Sequence, residues 1–218
     1  MKICEVFYSI QGEIDIGRPA LFIRTGGCNL NCGFCDTNYA KDEHYDMKLE
    51  DVFEKAKHFD RIVITGGEPM LYWDEIKQLS NKLIKNNPDT IIEIETNGTI
   101  SPTNFKNAAN FKFNVSLKLK NSGNRTSERL NSYSINTFKK LSNVRYKFVI
   151  DTEDDVDEVN MIISKYGLDK KQIYLMPLGD TKQLQLDNMN KVVMWCKRFK
   201  YNFTPRLHLL IWDKKRGV

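Results

Sequence analysis

Gly26-Gly27-Cys28-Asn29-Leu30-Asn31-Cys32-Gly33-Phe34-Cys35-Asp36-Thr37 sets three cysteines in a C-x3-C-x2-C pattern directly behind the apolar, strand-like run Ala20 to Thr25. Glycine and asparagine leave such a loop free to turn three sulfurs inward onto one metal centre. A four-iron cluster held by three thiolates keeps one iron without a protein ligand, whereas a structural zinc site is closed by a fourth Cys or His. A zinc knuckle would have to recruit Cys4, Cys196 or a histidine, and none stands at zinc-ribbon spacing. A disulfide framework fits less well, because five cysteines is an odd number, no signal peptide is apparent and clustered thiols suit a reducing cytosol. Cys4 and Cys196 are expected to be buried structural thiols.

Outward from this loop, strand and helix patterns alternate about every 30 residues. An apolar opening, Ile3 to Tyr8, precedes the strand Ala20 to Thr25. Helical spacing over Leu49 to Phe59 leads to a strand at Arg61 to Thr65, a helix at Trp73 to Lys85 and a strand at Ile91 to Glu95. A short helical turn is expected after Ser101-Pro102, then a strand at Phe111 to Leu117 and a weak helix around Ile135 to Leu141. The remaining expectations are strand Val144 to Ile150, helix Asp154 to Tyr166, strand Gln172 to Met176, helix Asp187 to Phe199 and a last strand near Arg206 to Trp212. Such alternation predicts an α/β fold with a mostly parallel sheet. Six to seven units in 218 residues fall short of a closed eight-fold barrel, which takes about 250 residues, so the prediction is a partial, open parallel β/α barrel of about six strands with a reduced helix complement.

Polar and Gly-rich signals follow the strands: Gly26 to Cys35, Gly66-Gly67-Glu68-Pro69, Glu95-Thr96-Asn97-Gly98, Ser116 with Lys118, and Pro177-Leu178-Gly179-Asp180. Parallel strand ends share one face in a barrel, so these segments should surround one cavity.

Composition bounds the rest. No linker divides the chain, so residues 1–218 form one domain. With 41% hydrophobic and 28% charged residues and no apolar run near the length of a membrane span, a cytoplasmic protein is expected, with no membrane partner. The net charge of +5 is spread thinly apart from Lys214-Lys215-Arg216. It makes a weak case for nucleic acid, and none is expected as a partner; it suits a solvated surface, or encounter with an acidic electron donor or an anionic substrate.

C-x3-C-x2-C followed one βα unit later by Gly66-Gly67-Glu68-Pro69 resembles the radical S-adenosylmethionine enzymes. There the open iron of a 4Fe-4S cluster chelates S-adenosylmethionine, whose reductive cleavage gives a 5′-deoxyadenosyl radical. This resemblance makes Cys28, Cys32 and Cys35 the cluster ligands. It assigns Gly67 and Glu68 to the methionine amino group, Phe34 to the neighbourhood of the adenine, and Glu95, Asn97, Ser116 and Lys118 to further cofactor contacts. For the last four, turn and cap chemistry is the competing reading.

Asp36-Thr37 adds hard oxygen donors beside the cysteines, which suit Mg²⁺ rather than iron or zinc. Together with Phe7-Tyr8-Ser9-Ile10-Gln11-Gly12-Glu13, Phe22-Ile23-Arg24, Thr65, Glu95-Thr96-Asn97-Gly98 and Leu207-His208, this pair resembles the 7-carboxy-7-deazaguanine synthase family. The implied reaction is conversion of 6-carboxy-5,6,7,8-tetrahydropterin to 7-carboxy-7-deazaguanine with loss of ammonia, on the path to queuosine and other 7-deazapurines. The deoxyadenosyl radical is the reactive species, so no side chain is named as catalytic.

The same resemblance implies substrate contacts from Gln11, Gly12, Glu13, Arg24, Thr65 and His208, Mg²⁺ at Thr37 with Asp36 nearby, a flavodoxin or ferredoxin-like reductant, and a homodimer. For Arg24 the competing reading is a buried ion pair, and for His208 a satisfied core histidine. His44 and His58 carry no match and are expected at the surface. Met176-Pro177-Leu178-Gly179 stands where many members have Gln-Pro, and Ser116-Leu117-Lys118 has Leu where Pro is common, so both segments depart from the family pattern. A glycyl-radical activase is the alternative within the superfamily, although it leaves Gln11, Glu13 and Asp36-Thr37 without a role.

Overall fold

The computed structural model describes residues 1–105 and 109–218. The chain opens with β1 (Lys2–Ile10) and β2 (Pro19–Thr25), which pair antiparallel, and β3 (Tyr45–Asp46) adds antiparallel to β1. Next come α1 (Leu49–Ala56), β4 (Arg61–Gly66), α2 (Trp73–Asn86), β5 (Ile91–Thr96) and β6 (Phe111–Val115). Two short helices, α3 (Thr126–Arg129) and α4 (Ser132–Phe138), lead to β7 (Val144–Ile150), α5 (Glu153–Tyr166), β8 (Ile173–Pro177) and α6 (Lys182–Phe199). A two-residue strand, β9 (Asn202–Phe203), and α7 (Leu207–Trp212) end it. The strands form one sheet in the order β3-β1-β2-β4-β5-β6-β7-β8-β9. From β2 to β9 every neighbouring pair is parallel, so six long parallel strands carry the molecule as an open β/α barrel.

Alternation along the strands explains why this sheet curls around a polar interior. On the outer face Ile62, Ile64, Ile92, Ile94, Phe113, Tyr146 and Phe148 are all fully or almost fully buried in one apolar core. Helix residues meet them there: Trp73, Ile76 and Leu79 of α2, Val156, Val159 and Ile163 of α5, and Phe138 of α4. Each such side chain contributes roughly 1.5–3 kcal/mol by leaving water. The opposite face, one residue out of phase, carries Arg61, Thr65, Glu93, Glu95, Lys112, Asn114, Arg145 and Lys147, with Glu93 beside Lys112 and Glu95 beside Asn114 in the parallel register. Charges on that face pair across the interior, because an unpaired ion there would lose its hydration without compensation.

The open side of the barrel is bridged by the segment after β1. Leu207 donates its backbone N–H to Gly12 O at 2.7 Å, and the Thr204 hydroxyl donates to Glu13 O. Asp15 reaches the opposite end of the interior, where Lys112, Arg61 and Arg145 surround its carboxylate.

One expected strand is a helix. Arg206 to Trp212 reads as apolar and extended, yet Leu207–Trp212 forms α7, and the last strand is β9 instead. Short apolar runs do not separate strand from helix by periodicity, and tertiary contacts decide. The helical turn expected after Ser101-Pro102 is a simple turn at Thr103-Asn104; its continuation lies outside the described residues. Cys196 is buried as expected, but Cys4 is only half-buried, and His44 is half-buried over Gly26 rather than exposed. Among the described residues no helix is long and apolar enough to cross a membrane.

Candidate active site

The ends of the parallel strands surround a cavity of about 460 Å³. Its wall includes Gln11, Gly12, Glu13, Arg24, Thr65 and His208 together with Cys28, Cys32, Cys35, Phe34, Asp36 and Thr37, and also Gly67, Glu95, Asn97, Ser116 and Lys118. Every candidate site residue named from the sequence therefore lines this space, with the exception of Glu68.

The cysteine loop is fixed from two sides. Gly67 and Glu68 donate backbone N–H groups to Thr25 O and Gly27 O, at 3.1 and 2.9 Å, so the glycine-rich turn after β4 backs the loop directly. Gly67 has to be glycine here, because a Cβ would run into Gly27 O. On the other side Asn29 donates to Thr99 Oγ1 and accepts from Asn97 Nδ2, at 2.8 and 2.9 Å. Cys28, Cys32 and Cys35 are all free and half-buried, and the Cys28 thiol is pushed up by burial, by Glu68 and by the two neighbouring sulfurs.

Three thiolates side by side on one loop are stabilised by a cationic metal centre. The three free cysteines of this loop form a donor set that fits a 4Fe-4S cluster. Among the described residues no three His, Cys, Asp or Glu side chains are arranged to hold a single metal ion.

Two expected cofactor contacts have their side chains committed elsewhere. Glu68 is fully buried, and its carboxylate accepts from Met70 N–H (2.9 Å), Thr96 Oγ1 (2.7 Å) and Asn97 N–H (2.7 Å). Asn97 uses its amide oxygen on Thr99 N–H and Oγ1 and its amide nitrogen on Asn29. These side chains bolt the strand ends together. Ser116 and Lys118 face the cavity, 2.8 Å apart through Nζ and Oγ.

Charged groups fill the deeper part. Lys147 of β7 pairs with Glu13 and lies 3.0 Å from Glu95 Oε2. Burial pushes the Glu95 carboxyl up to about 7 and the Lys147 ammonium down to about 7. Glu95 thus belongs with Lys147 and Gln11, not with the turn that carries Asn97. The Gln11 amide is occupied in place: Nε2 donates to Glu93 and Glu95, and Oε1 accepts from Gly12 and Glu13 N–H.

Arg24 is ion-paired and also faces the cavity. Its Nε is paired with Glu5 at 2.6 Å while the side chain lines the cavity, steadied by the Phe7 and Tyr39 rings. Arg206 brings Nε within 3.3 Å of Asp36 Oδ2 and 3.8 Å of Glu13 Oε1. Burial would raise the Asp36 carboxyl, but Arg206, His208 and Arg24 hold it below the usual carboxylate range. His208 packs on Gly12, and burial together with Arg206, Arg24 and Lys147 pushes its imidazole down to about 4 despite Asp36. The imidazole is neutral at physiological pH.

Lys147 and Arg206 escaped the sequence reading. A signal for Lys147 was present: Arg145 and Lys147 alternate with apolar residues at the period of Glu93 and Glu95, marking a charged inner face.

This architecture, with three cysteines on the first strand-end loop and a glycine-rich turn against it, defines a radical S-adenosylmethionine fold. The Radical SAM superfamily profile matches residues 22–186. Two crystal structures of Streptococcus suis SuiB, one bound to its precursor peptide SuiA and one to S-adenosylmethionine, share the fold, each with TM-score 0.56 and 16% identity. They cover 84% and 82% of this chain, and 47% and 48% of theirs.

Sequence relatives narrow the class. The 7-carboxy-7-deazaguanine synthase of Pyrobaculum aerophilum is 30% identical over 223 residues, covering 100% of this chain and 97% of its own. That of Clostridium acetobutylicum is 34% identical over 236 residues, covering 100% and 99%. The chain belongs to the 7-carboxy-7-deazaguanine synthase family of radical S-adenosylmethionine enzymes.

Proposed function

We propose that the chain, as one domain spanning residues 1–218, converts 6-carboxy-5,6,7,8-tetrahydropterin to 7-carboxy-7-deazaguanine with loss of ammonia. The observation that carries this reading is one cavity lined both by Cys28, Cys32 and Cys35 and by Glu13, Arg24, Lys147 and His208. When bound, the 4Fe-4S cluster and S-adenosylmethionine supply a carbon-centred radical that takes a hydrogen atom from the substrate. The chain's own residues orient and protect that reaction.

Arg24, its Nε held by Glu5, offers the rest of its guanidinium to the substrate carboxylate. Glu13 and Glu95 are acceptors for the N–H edge of the pterin, and Lys147 pairs with both. Neutral His208 donates or accepts one hydrogen bond without adding charge. Ser116 and Lys118 suit the ribose and carboxylate of S-adenosylmethionine, Phe34 its adenine, and the Gly66-Gly67 backbone its amino group. Leu30 and Phe34 help to keep water from the reacting atoms.

Mg²⁺ enters through Thr37, whose hydroxyl lines the cavity, with the substrate carboxylate and water as its other donors. Asp36 is a poor ligand because Arg206 already pairs with it. A flavodoxin or ferredoxin-like protein is the proposed reductant, suited by the net charge of +5. The exposed apolar residues Leu186, Val193 and Met194 of α6 support a homodimer, and five free cysteines suit the cytoplasm. An activase acting on a protein glycine is not favoured, since it leaves Glu13, Arg24 and His208 without a partner.

The test is anaerobic. The reconstituted protein is given S-adenosylmethionine, Mg²⁺, a strong reductant and the tetrahydropterin, and mass spectrometry follows 7-carboxy-7-deazaguanine over many turnovers. Cleavage of S-adenosylmethionine to 5′-deoxyadenosine with no deazaguanine product would overturn the substrate assignment while leaving the radical chemistry.

A further inference from the structure

The three cysteines are not equivalent. Cys32 Sγ has a side-chain amide within reach, Asn124 Nδ2 at 3.3 Å. Cys35 Sγ has instead the Thr37 hydroxyl, at 3.8 Å, and Cys28 has a backbone N–H, that of Leu30. Asn124 follows the short turn Lys120–Ser122, which Gly123 ends in the left-handed region at φ +80°. That turn is anchored: Ser122 is fully buried and its hydroxyl donates to Leu119 O at 2.7 Å.

The same turn grips the cysteine loop on both sides of Cys32. Gly33 donates its N–H to Ser122 O at 3.1 Å, and Asn31 donates its N–H to Asn124 Oδ1 at 2.9 Å. With Oδ1 committed to Asn31, the amide is oriented and Nδ2 is presented to the sulfur. Its second hydrogen is placed toward Ser122 Oγ and O, at 3.2 and 3.4 Å.

We propose that Asn124 is a positioning and tuning residue for the iron-sulfur cluster, donating an N–H···S hydrogen bond to Cys32 that makes one-electron reduction of the cluster easier. The inference rests on the assignment of Cys32 as a cluster ligand. A thiolate bound to iron carries more negative charge when the cluster gains its electron, so a fixed donor stabilises the reduced state more than the oxidised one. No bond is made or broken in this step. One electron passes from a low-potential one-electron donor to the oxidised cluster, and the Asn124 proton stays on nitrogen throughout.

The experiment uses the full chain with its cluster reconstituted, comparing wild type with Asn124→Leu. Iron and sulfide are counted first, then the midpoint potential is read by titration with dithionite and redox mediators, following the reduced cluster by electron paramagnetic resonance. Asn124→Leu should keep about four irons and four sulfides and should titrate at a more negative midpoint. A tenfold drop in the reduced-to-oxidised ratio at fixed potential corresponds to ~59 mV for one electron.

Asn124→Asp keeps the acceptor for Asn31 N–H but has no N–H for the sulfur, and it covers the case in which the leucine variant fails to fold its loop. For both variants resonance Raman spectra in H₂O and D₂O supply a second reading. The wild-type iron-sulfur bands should shift on deuteration, and the shift should diminish without the donor. A full cluster in Asn124→Leu with the wild-type midpoint, or an undiminished deuterium shift in Asn124→Asp, would overturn the inference. Failure of the wild-type chain to assemble any cluster would instead overturn the cysteine assignment beneath it.

Discussion

Lys147 Nζ stands 3.0 Å from Glu95 Oε2, a contact that crosses over β6 from β7 to β5. Because the same ammonium also pairs with Glu13, one buried cation holds two carboxylates facing the cavity. Lys147→Met removes that cation while preserving most of the apolar stem. Two like charges are then left close together in a site that excludes water, and one is driven to take up a proton. Breaking a buried ion pair from one side costs about 3–5 kcal/mol, shared here between stability and ligand binding. The expected outcome is a KM for the tetrahydropterin raised by roughly 10- to 100-fold with a smaller change in kcat, which steady-state kinetics would read. An unchanged KM would show that Glu13 and Glu95 do not need their cation to receive substrate.

Asp36 and Thr37 are neighbours in sequence with different surroundings. Asp36 is drawn to Arg206, whereas the Thr37 hydroxyl lies 3.8 Å from Cys35 Sγ on the cavity wall. Thr37→Ala should therefore raise the Mg²⁺ concentration for half-maximal activity by about tenfold or more, since a metal with few protein donors depends on each one. Asp36→Asn should leave that concentration within about twofold of wild type and act through Arg206 and Glu13, raising the substrate KM. Mg²⁺ titrations of the two variants give the answer, and the opposite ranking would make Asp36 the ligand.

Much of this arrangement was legible because chemistry and periodicity coincided in the chain. The cysteine loop, Gly66-Gly67-Glu68-Pro69 and Glu95-Thr96-Asn97-Gly98 each follow a parallel strand, and that placement alone brings them to one end of the barrel. Strand β7 was legible to the residue, since Val144–Ile150 alternates large apolar groups with basic ones. What could not be read was which side chains the fold would consume. Glu68 and Asn97 resemble ligand contacts in sequence, and only the approach of the turns after β4 and β5 shows that their side-chain polar atoms are already partnered. The helix Leu207–Trp212 was illegible for another reason: six residues are too few for a helical stripe, and backbone N–H bonds from Leu207 to Gly12 and from Leu210 to Arg206 decide its course.

His208 carries a pH signature. Its folded value of about 4 lies below the ordinary 6.5 of the unfolded chain, because burial and the cations Arg206, Arg24 and Lys147 outweigh Asp36. Between pH 4 and pH 6.5 the unfolded chain therefore binds more protons at this position than the folded one. Stability from His208 is fully present above pH 6.5 and declines as pH falls through that window. His208→Asn, which cannot be charged, should flatten the acid limb of a plot of unfolding free energy against pH over that range. Activity should show no inflection near pH 6.5 from this residue, because the imidazole is neutral throughout the working range. A ring proton titrating near 6.5 by nuclear magnetic resonance would contradict both expectations.

Glu68 separates a structural role from a cofactor role. In Glu68→Ala the Met70 N–H, the Asn97 N–H and the Thr96 hydroxyl all lose their acceptor in a fully buried site. Unsatisfied buried donors cost about 1–3 kcal/mol each before relaxation, and part of that is recovered where the turn adjusts. A loss of about 3 kcal/mol is expected, which for a domain of this size lowers Tm by roughly 6–12 °C. Glu68→Gln retains one oxygen acceptor and escapes the cost of burying a charge. That cost is real: burial raises the Glu68 carboxyl above its ordinary range despite the bonds from Asn97, Thr96 and Met70. In the window between the ordinary and the raised value the folded chain holds the extra proton, so the wild type loses stability there as pH rises. The glutamine variant has no such loss, and it should lie within about 1 kcal/mol of wild type at neutral pH. Calorimetric unfolding gives these numbers, and equilibrium dialysis of S-adenosylmethionine onto the reconstituted variants gives the second half of the test. If Glu68 acts by clamping the strand ends, Glu68→Gln binds S-adenosylmethionine within about threefold of wild type. A hundredfold weaker affinity with an unchanged Tm would mean that the carboxylate leaves its three donors to hold the cofactor's ammonium.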